Sequence, residues 1–144
     1  MVMTPFEEIE HTADWALHVW AATLSELYVE AARGMFYLTA PEAVREPVGP
    51  AEPAAGQPRS ITINAGDAES LLVAWLQELL YLSETEGVRF DDFAVERLTP
   101  THLTATVWAR PASRPEKPIK AVTYHNLAIR RVDGGYSVAL VFDV

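Results

Sequence analysis

From residue 88 to residue 144 no stretch carries the 3.6-residue apolar period of a helix. Strand patterns follow one another instead, over about 88–98, 101–110, 121–131 and 136–143. Thr99-Pro100 marks the first turn, and Asp133-Gly134-Gly135 is a hairpin signal. The segment Arg110–Lys120 holds Pro111, Pro115 and Pro118 and reads as a loop. A doubly wound parallel sheet requires helices between most of its strands, so this half of the chain excludes that fold. The final run, Val138-Ala139-Leu140-Val141-Phe142, is apolar on both faces and belongs inside a sheet rather than at its edge.

The first half supplies the helices. Residues 6–10 and 15–21 read as two strands interrupted by His11-Thr12-Ala13-Asp14, the second alternating Trp15, Leu17 and Val19 with Ala16, His18 and Trp20. Thr23 opens a helix as N-cap, with Glu26 three residues on in a capping-box pattern. Leu24, Leu27, Tyr28, Ala31, Met35 and Phe36 form its buried stripe, and it ends near Leu38, before Pro41. Residues 40–58 carry five prolines and two glycines and form a loop, with a short strand expected at Val44–Val48. Ser60–Ala65 is a strand. Asp67 caps a second helix, whose apolar face runs from Leu71 and Leu72 through Trp75, Leu76, Leu79, Leu80 and Leu82 to an end before Gly87. The expected fold is α+β: a two-layer sandwich of two helices on a mainly antiparallel or mixed sheet of six or seven strands, in one domain over 1–144.

Charge and composition narrow the function. Twenty acidic against eleven basic residues give a net charge of −9. That field repels phosphate backbones, so direct nucleic-acid binding is not expected, whereas cations are natural ligands. Cysteine is absent, which removes disulfides, thiolate metal sites and cysteine nucleophiles. No apolar run reaches the roughly 18–20 residues of a membrane span, and MVMTPFEEIE has no secretory pattern, so a cytoplasmic location is the expectation.

No Gly-rich phosphate loop, G-x-S-x-G elbow or H-E-x-x-H pattern occurs, so the chain is not expected to be an enzyme. What remains is a set of oxygen and nitrogen ligands at strand ends. Glu8, Glu10, His11 and Asp14 surround the first strand break, and Asp143 lies at the exit of the apolar strand, directly before the terminal carboxylate of Val144. Neighbouring negative groups there require water, a basic group such as Lys120, or a cation. If the first hairpin pairs near the last strand, Asp14 joins them. Hard oxygen ligands of this kind suit Ca²⁺ or Mg²⁺. The plainer reading is that acidic residues at strand ends are simply solvated. His18 reads as a packed or surface residue and His102 as a turn residue, and Trp15, Trp20 and Trp75 as core.

Three stretches together carry a resemblance. His11-Thr12-Ala13-Asp14 with the helix around Leu24-Ser25-Glu26-Leu27-Tyr28 comes first, and Leu71–Tyr81 of the second helix follows. Lys120-Ala121-Val122-Thr123-Tyr124-His125 and Phe142-Asp143-Val144 close the series. In this order they resemble the archease family. The resemblance implies an accessory protein of the RtcB-type RNA ligase of tRNA splicing and RNA repair, promoting ligase guanylylation and multiple turnover. It also implies Ca²⁺, or Mg²⁺ or another divalent cation, held at Asp14, Asp143 and Val144, with His11 and Lys120 in support. Two other readings stand beside it: a chaperone-like protein-binding adaptor, and a small metal-dependent phosphoester hydrolase using His11, Asp14 and Asp143.

Overall fold

Local chemistry sets both helix starts. The Thr23 hydroxyl accepts the Glu26 N–H at 3.1 Å, and the Asp67 carboxylate accepts the Ser70 N–H at 2.7 Å. Gly87, at φ 65°, takes the left-handed conformation that ends the second helix, and its N–H donates to the Ser83 carbonyl. A computed structural model describes residues 5–10, 14–39, 57–112 and 119–144. Its elements in chain order are β1 (Phe6–Glu10), β2 (Asp14–Ala21), α1 (Leu24–Thr39), β3 (Gln57–Asn64) and α2 (Ala68–Glu86). Then come β4 (Val88–Thr99), β5 (His102–Pro111), β6 (Ala121–Thr123), β7 (Arg130–Val132) and β8 (Gly135–Asp143). The short strand expected at Val44–Val48 lies outside the described residues.

The fold is α+β with antiparallel pairing throughout. Among the described residues the strands number eight and divide into two sheets. One runs β1-β2-β8-β6, with β7 also on β8; the other runs β3-β5-β4. As its two apolar faces require, β8 is interior. The helices bridge the two sheets. α1 packs on β1, β2 and β8 of the larger sheet and on β4 of the smaller, while α2 packs on β3 and β4 and on β6. Each helix therefore touches both sheets. This explains why α1 buries Leu27, Tyr28, Ala31, Ala32, Met35, Phe36 and Leu38, a wider band than one stripe.

Two contacts tie the helices together in the core. The Trp75 indole N–H donates to the Tyr28 carbonyl at 3.0 Å, and the Tyr28 hydroxyl donates to the Ala68 carbonyl at 2.5 Å. Glycine permits two close approaches. A Cβ at Gly34 would strike the buried Leu17 side chain, and one at Gly135 would strike the backbone of Ala21 and Ala22.

The stretch 121–131, expected as one strand, is broken. β6 and β7 both pair with β8, and residues 124–129 leave the sheet between them. The Ile129 N–H donates to the Glu69 carboxylate at 3.0 Å, and Asn126 takes a positive φ of 50°. Leu127 and Ile129 pack on the core. The first turn of α2 thus captures the chain before it can continue as a strand.

Candidate functional site

The register of the larger sheet is dictated by its apolar face. Trp15 opposes Phe142, Leu17 opposes Leu140, and Val19 opposes Val138. Leu17, Val19, Val138, Leu140 and Phe142 are all buried. A slip of one residue would turn these side chains to the opposite face, so the pairing is strongly specified. It carries one consequence at the strand ends: Asp14 stands directly opposite Asp143. Positions opposed in an antiparallel pair have Cβ atoms about 4.5–5.5 Å apart, and like charges there destabilise the pair.

On the other side of β8, Ala121 opposes Asp143, and the Lys120 N–H donates to the Asp143 carbonyl at 2.7 Å. Ile119, fully buried, fixes the entry to β6. Val144 is half-buried against the core, which limits the freedom of the main chain just beyond Asp143. The backbone thus brings Asp14, Asp143, Val144 and Lys120 to one end of the larger sheet. Glu10 and Glu8 stand further along, opposite Trp15 and Leu17 on β1. His11 lies outside the described residues. Among the described residues no three His, Asp or Glu side chains cluster as metal ligands.

The donor chemistry fits a hard cation. Aspartates at the opposed positions 14 and 143 are oxygen donors of the type that Ca²⁺ and Mg²⁺ prefer.

The remaining sequence candidates have structural roles. His18 is half-buried and packs on Trp20 with ring centroids 4.9 Å apart and the planes tilted by 48°, and His102 Nδ1 lies 2.7 Å from Asn64 Oδ1 beside a turn. Trp75 is wholly buried. Burial, reinforced by the carboxylates of Glu69 and Asp67, pushes the Tyr28 phenol far above its ordinary pKa, so it stays a hydrogen-bond donor. Glu69 was not singled out by the sequence pattern. Its partner lies sixty residues away, and nothing local announces it.

Two antiparallel sheets closed on a helix pair, with Asp14 and Asp143 in opposed register where the second and last strands meet, define a small α+β protein. The model of the Archease protein family (MTH1598/TM1083) matches residues 6–144, and the chain belongs to that family. Protein archease of Methanopyrus kandleri is 36% identical over 147 residues, spanning 97% of this chain and 99% of the relative. Protein archease of Methanosarcina mazei is 34% identical, spanning 96% and 95%. The solution structure of Methanobacterium thermoautotrophicum protein 1598 superposes with a TM-score of 0.71 at 27% identity, covering 99% of this chain and all of that one. The crystal structure of a Thermotoga maritima archease, described as a possible chaperone, shares the fold at 21% identity, with a TM-score of 0.61 over 100% of this chain and 98% of that one.

Proposed function

We propose that the protein is the accessory factor of an RtcB-type RNA ligase, promoting guanylylation of the ligase and repeated turnover. A divalent cation, Ca²⁺ by preference, would be held by Asp14, Asp143 and the main-chain oxygens of Val144. The observation that carries the reading is the direct opposition of Asp14 and Asp143 across β2 and β8. A carboxylate pair kept in register by a buried apolar ladder is unfavourable unless positive charge is supplied. When bound, the cation supplies that charge and a Lewis-acidic centre for phosphate oxygens. The chain's own part is to hold the aspartates in place through the Leu17–Leu140 and Val19–Val138 rungs, and to set Lys120 beside Asp143. His11, just before β2, is the neighbouring donor by sequence.

The family assignment adds the partner by resemblance, and the net charge of −9 supports action through a protein rather than on RNA directly. The adaptor reading draws on the description of the Thermotoga maritima relative. The large apolar side chains exposed among the described residues are Tyr37 on α1, Tyr81 on α2, and Tyr124 and Val132 on the edge of the larger sheet.

The test is single-turnover guanylylation of the ligase with the wild type and with Asp14→Ala and Asp143→Ala. The wild type accelerates the step and both variants lose most of that effect. Full stimulation by both would remove the cation site from the account.

A further inference from the structure

We infer that the edge of the larger sheet formed by β6 and β7 is the face that docks the ligase, and that it takes an acidic protein patch with an apolar socket. The inference rests on the ligase reading above and adds the surface and its chemistry.

The first argument is charge. Arg33 pairs with Glu30 and Asp92, Arg59 with Glu86, and Arg110 with Asp91. Lys120, Arg130 and Arg131 are exposed and make no ion pair with any described residue, although Arg131 lies 5.8 Å from the Tyr136 ring centroid. Arg97 on β4 is likewise exposed without an ion pair among the described residues, but on the β6–β7 edge three cations stand together and outnumber the acidic groups there by one. His125, also exposed, lies between them. Asp133 at the hairpin and Asp143 at the far end are the acidic groups on the same edge.

The second argument is apolar exposure on a rigid support. Tyr124 is 60% exposed and Val132 44%, and both lie on this edge. Tyr124 is not on a loose loop. Its carbonyl accepts the Leu127 N–H at 3.1 Å, and the excursion is pinned where the Glu69 carboxylate accepts the Ile129 N–H. An aromatic side chain on a backbone held in this way costs little main-chain ordering on binding, and aromatic anchors are common at the core of protein interfaces. Three cations are too few to overcome a net charge of −9 toward a phosphate backbone, so a protein partner is favoured over RNA.

The third argument is position. β6 begins beside Asp143, so a partner seated on this edge is brought to the aspartate pair. The opposite edge strand, β1, carries Glu7, Glu8 and Glu10. A second copy docking head-to-tail is therefore the rival occupant.

The experiment measures binding of fluorescently labelled full-length protein to the purified ligase, for the wild type, Arg130→Glu, Tyr124→Ser and, as a control on another exposed cation, Arg97→Glu. The expected result is at least a tenfold weaker Kd for Arg130→Glu and Tyr124→Ser, a shallower salt dependence for Arg130→Glu, and no change for Arg97→Glu. Thermal melts within a few degrees of the wild type establish that the variants are folded. Equal binding by all four proteins overturns the docking face and leaves the ligase reading standing. Absence of any wild-type complex overturns the ligase reading and this inference with it. Self-association of the protein alone that Arg130→Glu abolishes, or Arg130-dependent binding of a single-stranded RNA probe, reassigns the edge and contradicts the inference.

Discussion

Asp14 and Asp143 are direct partners across β2 and β8, and the rungs that hold them opposite are apolar. On the cation reading, repulsion between their carboxylates would belong to the native state alone, because the unfolded chain does not bring the two residues together. Asp143→Asn should therefore leave the protein equally or more stable without divalent ions, by about 0.2–1 kcal/mol. Calcium at a hundredfold excess over its Kd should stabilise the wild type by about 2.7 kcal/mol and the variant far less. Thermal melts with chelator and with calcium read both effects. A larger calcium gain in the variant would contradict the assignment.

Gly135 is the tightest backbone approach in the larger sheet. A methyl group there meets the main chain of Ala21 and Ala22, which cannot rotate away, whereas one at Gly34 meets the side chains of Leu17 and Phe6. Both substitutions to Ala should destabilise. Gly34→Ala should cost about 1–3 kcal/mol by overpacking, and Gly135→Ala more, because relief requires a strand to move. Urea unfolding midpoints of the two variants give the order.

Asp67 makes a pH-dependent cap. The Ser70 backbone N–H on its carboxylate holds its pKa below the usual carboxylate range. A lowered native pKa means that the cap's contribution is fully present above the unfolded pKa of about 4, and is lost as pH falls through the native value. Asp67→Ala should lower Tm by roughly 2–6 °C at pH 7. The gap from the wild type should narrow steadily below about pH 4. A gap that stays constant down to acid pH would show that the carboxylate's charge is not what stabilises.

Much of this was legible in the sequence because it is local. Thr23 and Asp67 announce helix starts through their own hydroxyl and carboxylate, and both accept the N–H three residues on. Val138–Phe142 announces an interior strand by being apolar on both sides. What was not legible depends on distant partners. Residues 121–131 look like one strand because nothing near Ile129 reveals that Glu69 takes its N–H. The split into two sheets is equally hidden, since it is a matter of which distant strands pair. The meeting of Asp14 with Asp143 was conditional on a hairpin pairing near the last strand. The register makes that pairing direct, because the rungs from Trp15–Phe142 to Val19–Val138 leave one alignment that keeps the core dry.

Glu69 offers a test of that long-range capture. Glu69→Gln keeps an acceptor for the Ile129 N–H, whereas Glu69→Ala removes it and leaves a half-buried amide without its partner, at about 1–3 kcal/mol. Amide hydrogen exchange at Leu127 and Ile129 should rise sharply in the Ala variant and little in the Gln variant. Equal exchange in both would mean that packing of Leu127 and Ile129 alone holds the excursion.

The most direct test of the account is a ligation time course with RNA ends in large excess over an RtcB-type ligase, in calcium, with and without this protein. The account predicts that the ligase alone stops near one round, and that adding the protein restores many rounds. It also predicts that Asp143→Ala returns the reaction to the single-round plateau. The same plateau with and without the wild-type protein would contradict it.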